Sequence, residues 1–125
     1  MTNRFISAWC YEHEFSNKVG VAIYLENLKE EDLKEDNFSE DGCYISINDK
    51  DYTIFDFNDV DNMIDDKKSE IKYSILDSLR NADIIEDYIN WDKYFEDHEI
   101  DETDVLPSDY QEVDFDGNTY FIVEE

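Results

Sequence analysis

Cys43-Tyr44-Ile45-Ser46-Ile47-Asn48-Asp49-Lys50-Asp51-Tyr52-Thr53-Ile54-Phe55-Asp56-Phe57 reads as two runs of strand formers around a polar break. Cys43, Ile45 and Ile47 fall on one face, because successive side chains of a strand point to opposite sides. Asn48-Asp49-Lys50-Asp51 supplies turn-forming residues, and 52–57 resumes the apolar pattern. The stretch predicts a β-hairpin, and a lone hairpin must find other elements to cover its apolar face.

Working outward toward the N-terminus, residues 26–41 are mostly charged, with Leu28 and Leu33 as their only aliphatic anchors. They predict a short helix or a solvated loop ending near Gly42. Residues 4–11 and 18–25 are rich in β-branched and aromatic side chains and are separated by 12–17, which predicts a strand pair with Val19, Val21, Ile23 and Leu25 on one face. Toward the C-terminus, Asn58 or Asp59 is a candidate N-cap, and Ile64, Ile71, Ile75 and Leu79 recur at helical spacing. One or two helices are expected within 59–81. A further helix is expected over 83–97, where Ile84, Tyr88, Trp91 and Phe95 form a stripe with Ile85 and Ile89 alongside. Pro107 breaks the chain, and 110–115 and 119–123 flank Asp116-Gly117, a pair suited to a type I′ hairpin turn. The expected fold is α+β, a single acidic domain over 1–125. It has an antiparallel sheet of about five to six strands (N-terminal strand pair, central hairpin, C-terminal hairpin) and two to three helices, mainly within 59–97.

A chain of 125 residues can bury a real core as one domain, and 41% hydrophobic with 15% aromatic residues favours folding over disorder. Thirty-five acidic residues against ten basic ones give a net charge of −25. Such a field disfavours contact with phosphates and anionic lipid, so neither direct nucleic-acid binding nor a membrane role is expected. It steers basic partners toward the chain, and surfaces built to hold DNA or RNA are reliably basic. No run of eighteen apolar residues and no signal-peptide stretch is present, which predicts a cytoplasmic protein. Cys10 and Cys43 lie in apolar runs and read as reduced core residues.

The charge is unevenly spread. Residues 1–25 are neutral, 67–80 carry +2, and 81–108 carry −9. On a helix over 83–97, Asp83, Glu86 and Asp87 share one face, as do Asp92, Glu96 and Glu99. Like charges at that spacing cost roughly 0.2–0.5 kcal/mol per pair, so the arrangement does not serve helix stability. Four helical residues rise about 6 Å, and two base-pair steps of B-DNA rise about 6.8 Å, so a row of carboxylates can imitate a row of phosphates. Asp97 and Asp101 extend the row. Tyr94 and Tyr110 are candidate aromatic anchors at an interface. The plain alternative is a solvated face, yet solubility asks for a net charge of only roughly 2–8.

Chemistry beyond binding is weakly signalled. His13 and His98 lack the companions of a zinc site or a catalytic base. Asp114-Phe115-Asp116-Gly117 opens like a calcium loop, but Val123 stands where the bidentate Glu belongs. No phosphate-cradling glycine loop, nucleophile elbow or H-E-x-x-H helix occurs. The expectation is a non-enzyme without cofactor or metal.

The segment Tyr88-Ile89-Asn90-Trp91-Asp92-Lys93-Tyr94-Phe95-Glu96-Asp97, followed by the hairpin over 110–125, resembles the C-terminal part of the ArdA antirestriction family. Members of that family are elongated dimeric DNA mimics of mobile elements that occupy the DNA-binding groove of type I restriction enzymes. The resemblance implies phosphate imitation by Asp83, Glu86, Asp87, Asp92, Glu96 and Asp97, a restriction enzyme as partner and a homodimer as an option, and the broader class of acidic DNA mimics adds a CRISPR effector as partner. The alternative function is an immunity protein that neutralises a cognate nuclease toxin, with complementarity focused on one cleft. A third is an adaptor whose acidity serves solubility alone.

Overall fold

A computed structural model of the chain describes residues 1–79 and 89–124. The fold is α+β with a five-stranded antiparallel sheet. The element order is α1 (Asn3–Glu12), α2 (Asn17–Leu25), β1 (Phe38–Asp41), β2 (Tyr44–Ile47), β3 (Lys50–Phe55), α3 (Phe57–Leu79), α4 (Trp91–Asp97), α5 (Glu102–Val105), β4 (Gln111–Phe115) and β5 (Asn118–Glu124). The strands lie in the order β1-β2-β3-β5-β4. The chain forms two compact units, one of Met1–Asn58 with Asp109–Glu125 and one of Asp59–Ser108.

Both expected hairpins are present. In the central one Ile47 pairs with Lys50 and Ile45 with Tyr52, so the turn is only Asn48-Asp49, both at positive φ. Lys50 and Asp51 belong to the strand, because a type I′ turn matches the twist of its flanking strands with two residues. At the C-terminal hairpin Phe115 pairs with Asn118 around Asp116-Gly117, at φ +48 and +82. Here the local turn chemistry specifies the register.

The N-terminal strand pair is not formed; both segments are helices. Thr2 caps α1 by accepting from the Phe5 N–H, and Ser16 caps α2 by accepting from the Lys18 N–H. Ile6 and Cys10, one helical turn apart, are the buried residues of α1, whereas Val19, Gly20, Val21, Ala22 and Ile23 of α2 are all buried. A helix buried on every side has no polar face to mark its period, and a short apolar run of that kind cannot be told from a buried strand. Tertiary burial overrides the β preference of Val and Ile. Residues 26–41 hold two 3-10 turns, Glu30–Asp32 and Glu35–Asn37, followed by β1. Leu28 and Leu33 do pack against the core.

The first unit has one core. Ile45, Ile47, Tyr52, Ile54, Phe115, Tyr120 and Ile122 from the sheet meet Ile6, Cys10 and the buried residues of α2. A Cβ at Gly20 would lie 3.0 Å from Phe115 Cζ, so the glycine admits the ring against the helix. In the second unit α3 is one 23-residue helix. It begins at Phe57, upstream of the expected Asn58 or Asp59 cap, and places Asp59 in its first turn, where a carboxylate favours the helix dipole.

The Cys10 thiol is fully buried, and that burial, with the Glu40 carboxylate as a lesser cause, pushes its pKa from 9.0 up to about 12. The neutral thiol is the form the fold favours, so the folded state keeps a proton that the unfolded chain loses above pH 9. Stability contributed by this group is complete below pH 9 and is lost as pH rises toward about 12. The Tyr52 hydroxyl, raised by burial and by its hydrogen bond to Glu26, acts in the same direction at higher pH. Urea unfolding at pH 8 and pH 10 is expected to show a loss of about 1 kcal/mol beyond that of Cys10→Ala. Parallel losses in the two proteins would contradict this assignment.

Candidate functional site

The helix expected over 83–97 is not formed as one element: among its described residues, 89–97, only Trp91–Asp97 is helical. Residues 89 and 90 are not helical, and α4 starts at Trp91 because the Asn90 side chain accepts from the Lys93 N–H at 3.1 Å and caps it. His98 closes the helix with an extended φ of −124°, so Glu99 lies outside it. The expected single stripe from Ile84 to Phe95 and the expected helical face shared by Asp92, Glu96 and Glu99 are corrected accordingly. Asp83, Glu86 and Asp87, and Ile84, Ile85 and Tyr88 of the expected stripe, lie outside the described residues.

Asp92, Glu96, Asp97, Glu99 and Asp101 are all exposed. Asp92 and Glu96 are one helical turn apart on α4 and line a groove with Asp65, Lys68, Ser69 and Lys72 of α3. The ammonium of Lys68 sits 5.5 Å from the centre of the Phe95 ring, and that of Lys72 lies 5.4 Å from Trp91. These cation–π contacts hold two positive charges in the groove that Asp92 and Glu96 line. The negative charge of Asp92 and Glu96 is therefore partly offset there. The offset was foreshadowed only by the net positive charge of 67–80.

Asp101 has a local structural task as well. It is the N-cap of α5, accepting from the Thr103 N–H at 3.0 Å, while the Asp104 carboxylate accepts from the Asp101 N–H at 3.0 Å. The Thr103 hydroxyl and N–H hold the Asp101 carboxyl below the usual carboxylate range, with the Asp104 hydrogen bonds as a smaller cause. Its charge is fixed in direction and persists to low pH.

Tyr94 is half-buried. Its ring stacks on His98 at 4.4 Å and meets Phe95 edge-on at 5.1 Å. Tyr110 is also half-buried, with its ring 5.9 Å from Phe121. Among the described residues the aromatic side chains that reach furthest into solvent are others: Tyr11 at 86% exposure, Tyr73 at 80%, and Tyr44 and Phe57 at 63%. Tyr73 lies off the Ile64–Ile71–Ile75 stripe, a signal the sequence offered. Trp91 Nε1 is buried with no hydrogen-bond partner among the described residues.

Among the described residues no group of three or more His, Cys, Asp or Glu side chains is arranged to hold a metal ion. The Asp114–Gly117 segment is the end of β4 and a hairpin turn. Among the same residues no helix is long and apolar enough to cross a membrane.

Fold and surface together define an acidic α+β protein whose exposed carboxylates run from α4 into α5. Comparisons with protein-family models, curated proteins and solved structures found no match.

Proposed function

We propose that the chain acts by binding, as a DNA-mimic inhibitor from a phage or mobile element. It occupies the nucleic-acid groove of a host defence enzyme, a restriction or CRISPR effector, in the host cytoplasm. The observation that carries this reading is the exposed run Asp92, Glu96, Asp97, Glu99 and Asp101, in a chain of net charge −25. Five carboxylates within ten residues give a basic groove the charge it was built to receive, without a covalent step. The aromatic packing of α4 against Lys68 and Lys72 holds the first part of the run, Asp92, Glu96 and Asp97, on an ordered element, which lowers the entropy cost of binding.

The test is competition. A type I restriction enzyme or a CRISPR effector is equilibrated with labelled DNA, and the protein is added at low salt. Displacement of the DNA in proportion to the bound protein is the expected result. A ternary complex, with DNA and this protein held together at full occupancy, overturns the reading for that target.

A further inference from the structure

The first unit carries a recess that the inhibitor reading does not use. Leu25, Tyr52, Asp109, Gln111, Ile122 and Glu124 line a cavity of about 570 Å³. The sheet register builds it, since Tyr52 pairs with Glu124 and Ile122 with Gln111, which puts the ends of β3, β5 and β4 side by side. Leu25 reaches it as the last residue of α2. Leu25 is half-buried over the buried Ile122 and Tyr52, which gives the floor a small apolar surface, while Asp109, Gln111 and Glu124 are exposed and make most of the accessible lining polar.

Two further features make the recess negative. The last turn of α2 contains no basic residue of its own to offset the negative end of its helix dipole. The neighbouring cation is already engaged: Lys50 Nζ lies 3.3 Å from Glu26 Oε2, and the other oxygen of Glu26 accepts from the Tyr52 hydroxyl. Neither Asp109 nor Glu124 has an ion-pair partner among the described residues.

From this geometry we infer that the recess receives one cationic side chain, arginine or lysine, of a basic protein partner. The aliphatic stem lies along Leu25 and Ile122, and the charged head meets Asp109, Glu124 and the Gln111 amide oxygen. A small apolar floor within a polar, acidic lining suits side chains that rest their stems on apolar groups and keep their heads polar. Concave walls of low dielectric focus the field of the rim.

The test uses the full chain with methyl-labelled Leu and Ile, titrated at low salt with blocked Gly-X-Gly peptides in which X is arginine, lysine or citrulline. The arginine peptide, the lysine peptide or both should saturate shifts at Leu25 and Ile122, with the stronger of the two naming the source. The neutral citrulline peptide should not. Asp109→Asn with Glu124→Gln should weaken binding about tenfold, whereas Glu30→Gln with Glu31→Gln, which removes the same charge elsewhere on this unit, should leave it unchanged. Circular dichroism of each variant checks that the fold is kept. Equal binding by citrulline, equal loss in the two double variants, or no saturable shift at Leu25 and Ile122 overturns the inference. The recess and the carboxylate run belong to different units, so this titration can fail while DNA competition succeeds, and the reverse.

Discussion

Phe115→Ala should destabilise the first unit by about 3–5 kcal/mol, the usual cost of emptying a fully buried aromatic site. Phe115 is 0% exposed, sits against Gly20, and has ring neighbours in Tyr24 at 6.2 Å and Tyr120 at 6.4 Å. It joins β4 to α2, so its loss removes one of the contacts, beside those of Tyr120 and Ile122, that tie the last hairpin to the N-terminal helices. Domains have only about 5–15 kcal/mol to lose, and the variant should be substantially unfolded at 37 °C. Tyr44→Ala, at a residue 63% exposed, should shift the urea midpoint little. A loss below about 1 kcal/mol for Phe115→Ala would contradict the packing described for this core.

Neutralising Asp92, Glu96, Asp97 and Glu99 together as amides should weaken inhibition about a hundredfold. Each exposed charge contributes roughly 0.5–1 kcal/mol toward a basic surface, and 1.4 kcal/mol is a factor of ten. Asp97→Asn and Glu99→Gln should cost more, taken singly, than Asp92→Asn and Glu96→Gln, because Lys68 and Lys72 share the groove of the latter pair. Relief of the repulsion between Asp92 and Glu96 offsets the loss of the favourable first-turn charge at Asp92, so thermal stability should change little while inhibition falls. That divergence separates a binding surface from a structural one. If one carboxylate alone accounts for nearly all of the loss, the pattern is that of an immunity protein in a nuclease cleft. If the fourfold variant inhibits fully, acidity serves solubility only.

What could be read from sequence followed from how local its cause was. The hairpins were legible because Asn48-Asp49 and Asp116-Gly117 supply the positive φ values their turns need, and α3 because Ile64, Ile71 and Ile75 keep helical spacing on a polar background. The helix α2 was hidden, since Val19–Ile23 is buried on all sides and carries no period. The start of α4 after Asn90 was obscured by a hydrophobic spacing that runs across it, although Asn is among the best N-cap residues. Within the candidate site, the exposure of Asp92, Glu96, Asp97, Glu99 and Asp101 followed from composition. The placement of Lys68 and Lys72 over the rings of α4 did not, because it depends on how two helices meet.

The most direct measurement is the affinity of this protein for a defence effector as salt rises from about 50 to about 200 mM, the range over which phosphate contacts are lost. An interaction built on the carboxylate run should weaken by more than tenfold across that range. An affinity that stays level would mean that the excess negative charge takes no part in recognition.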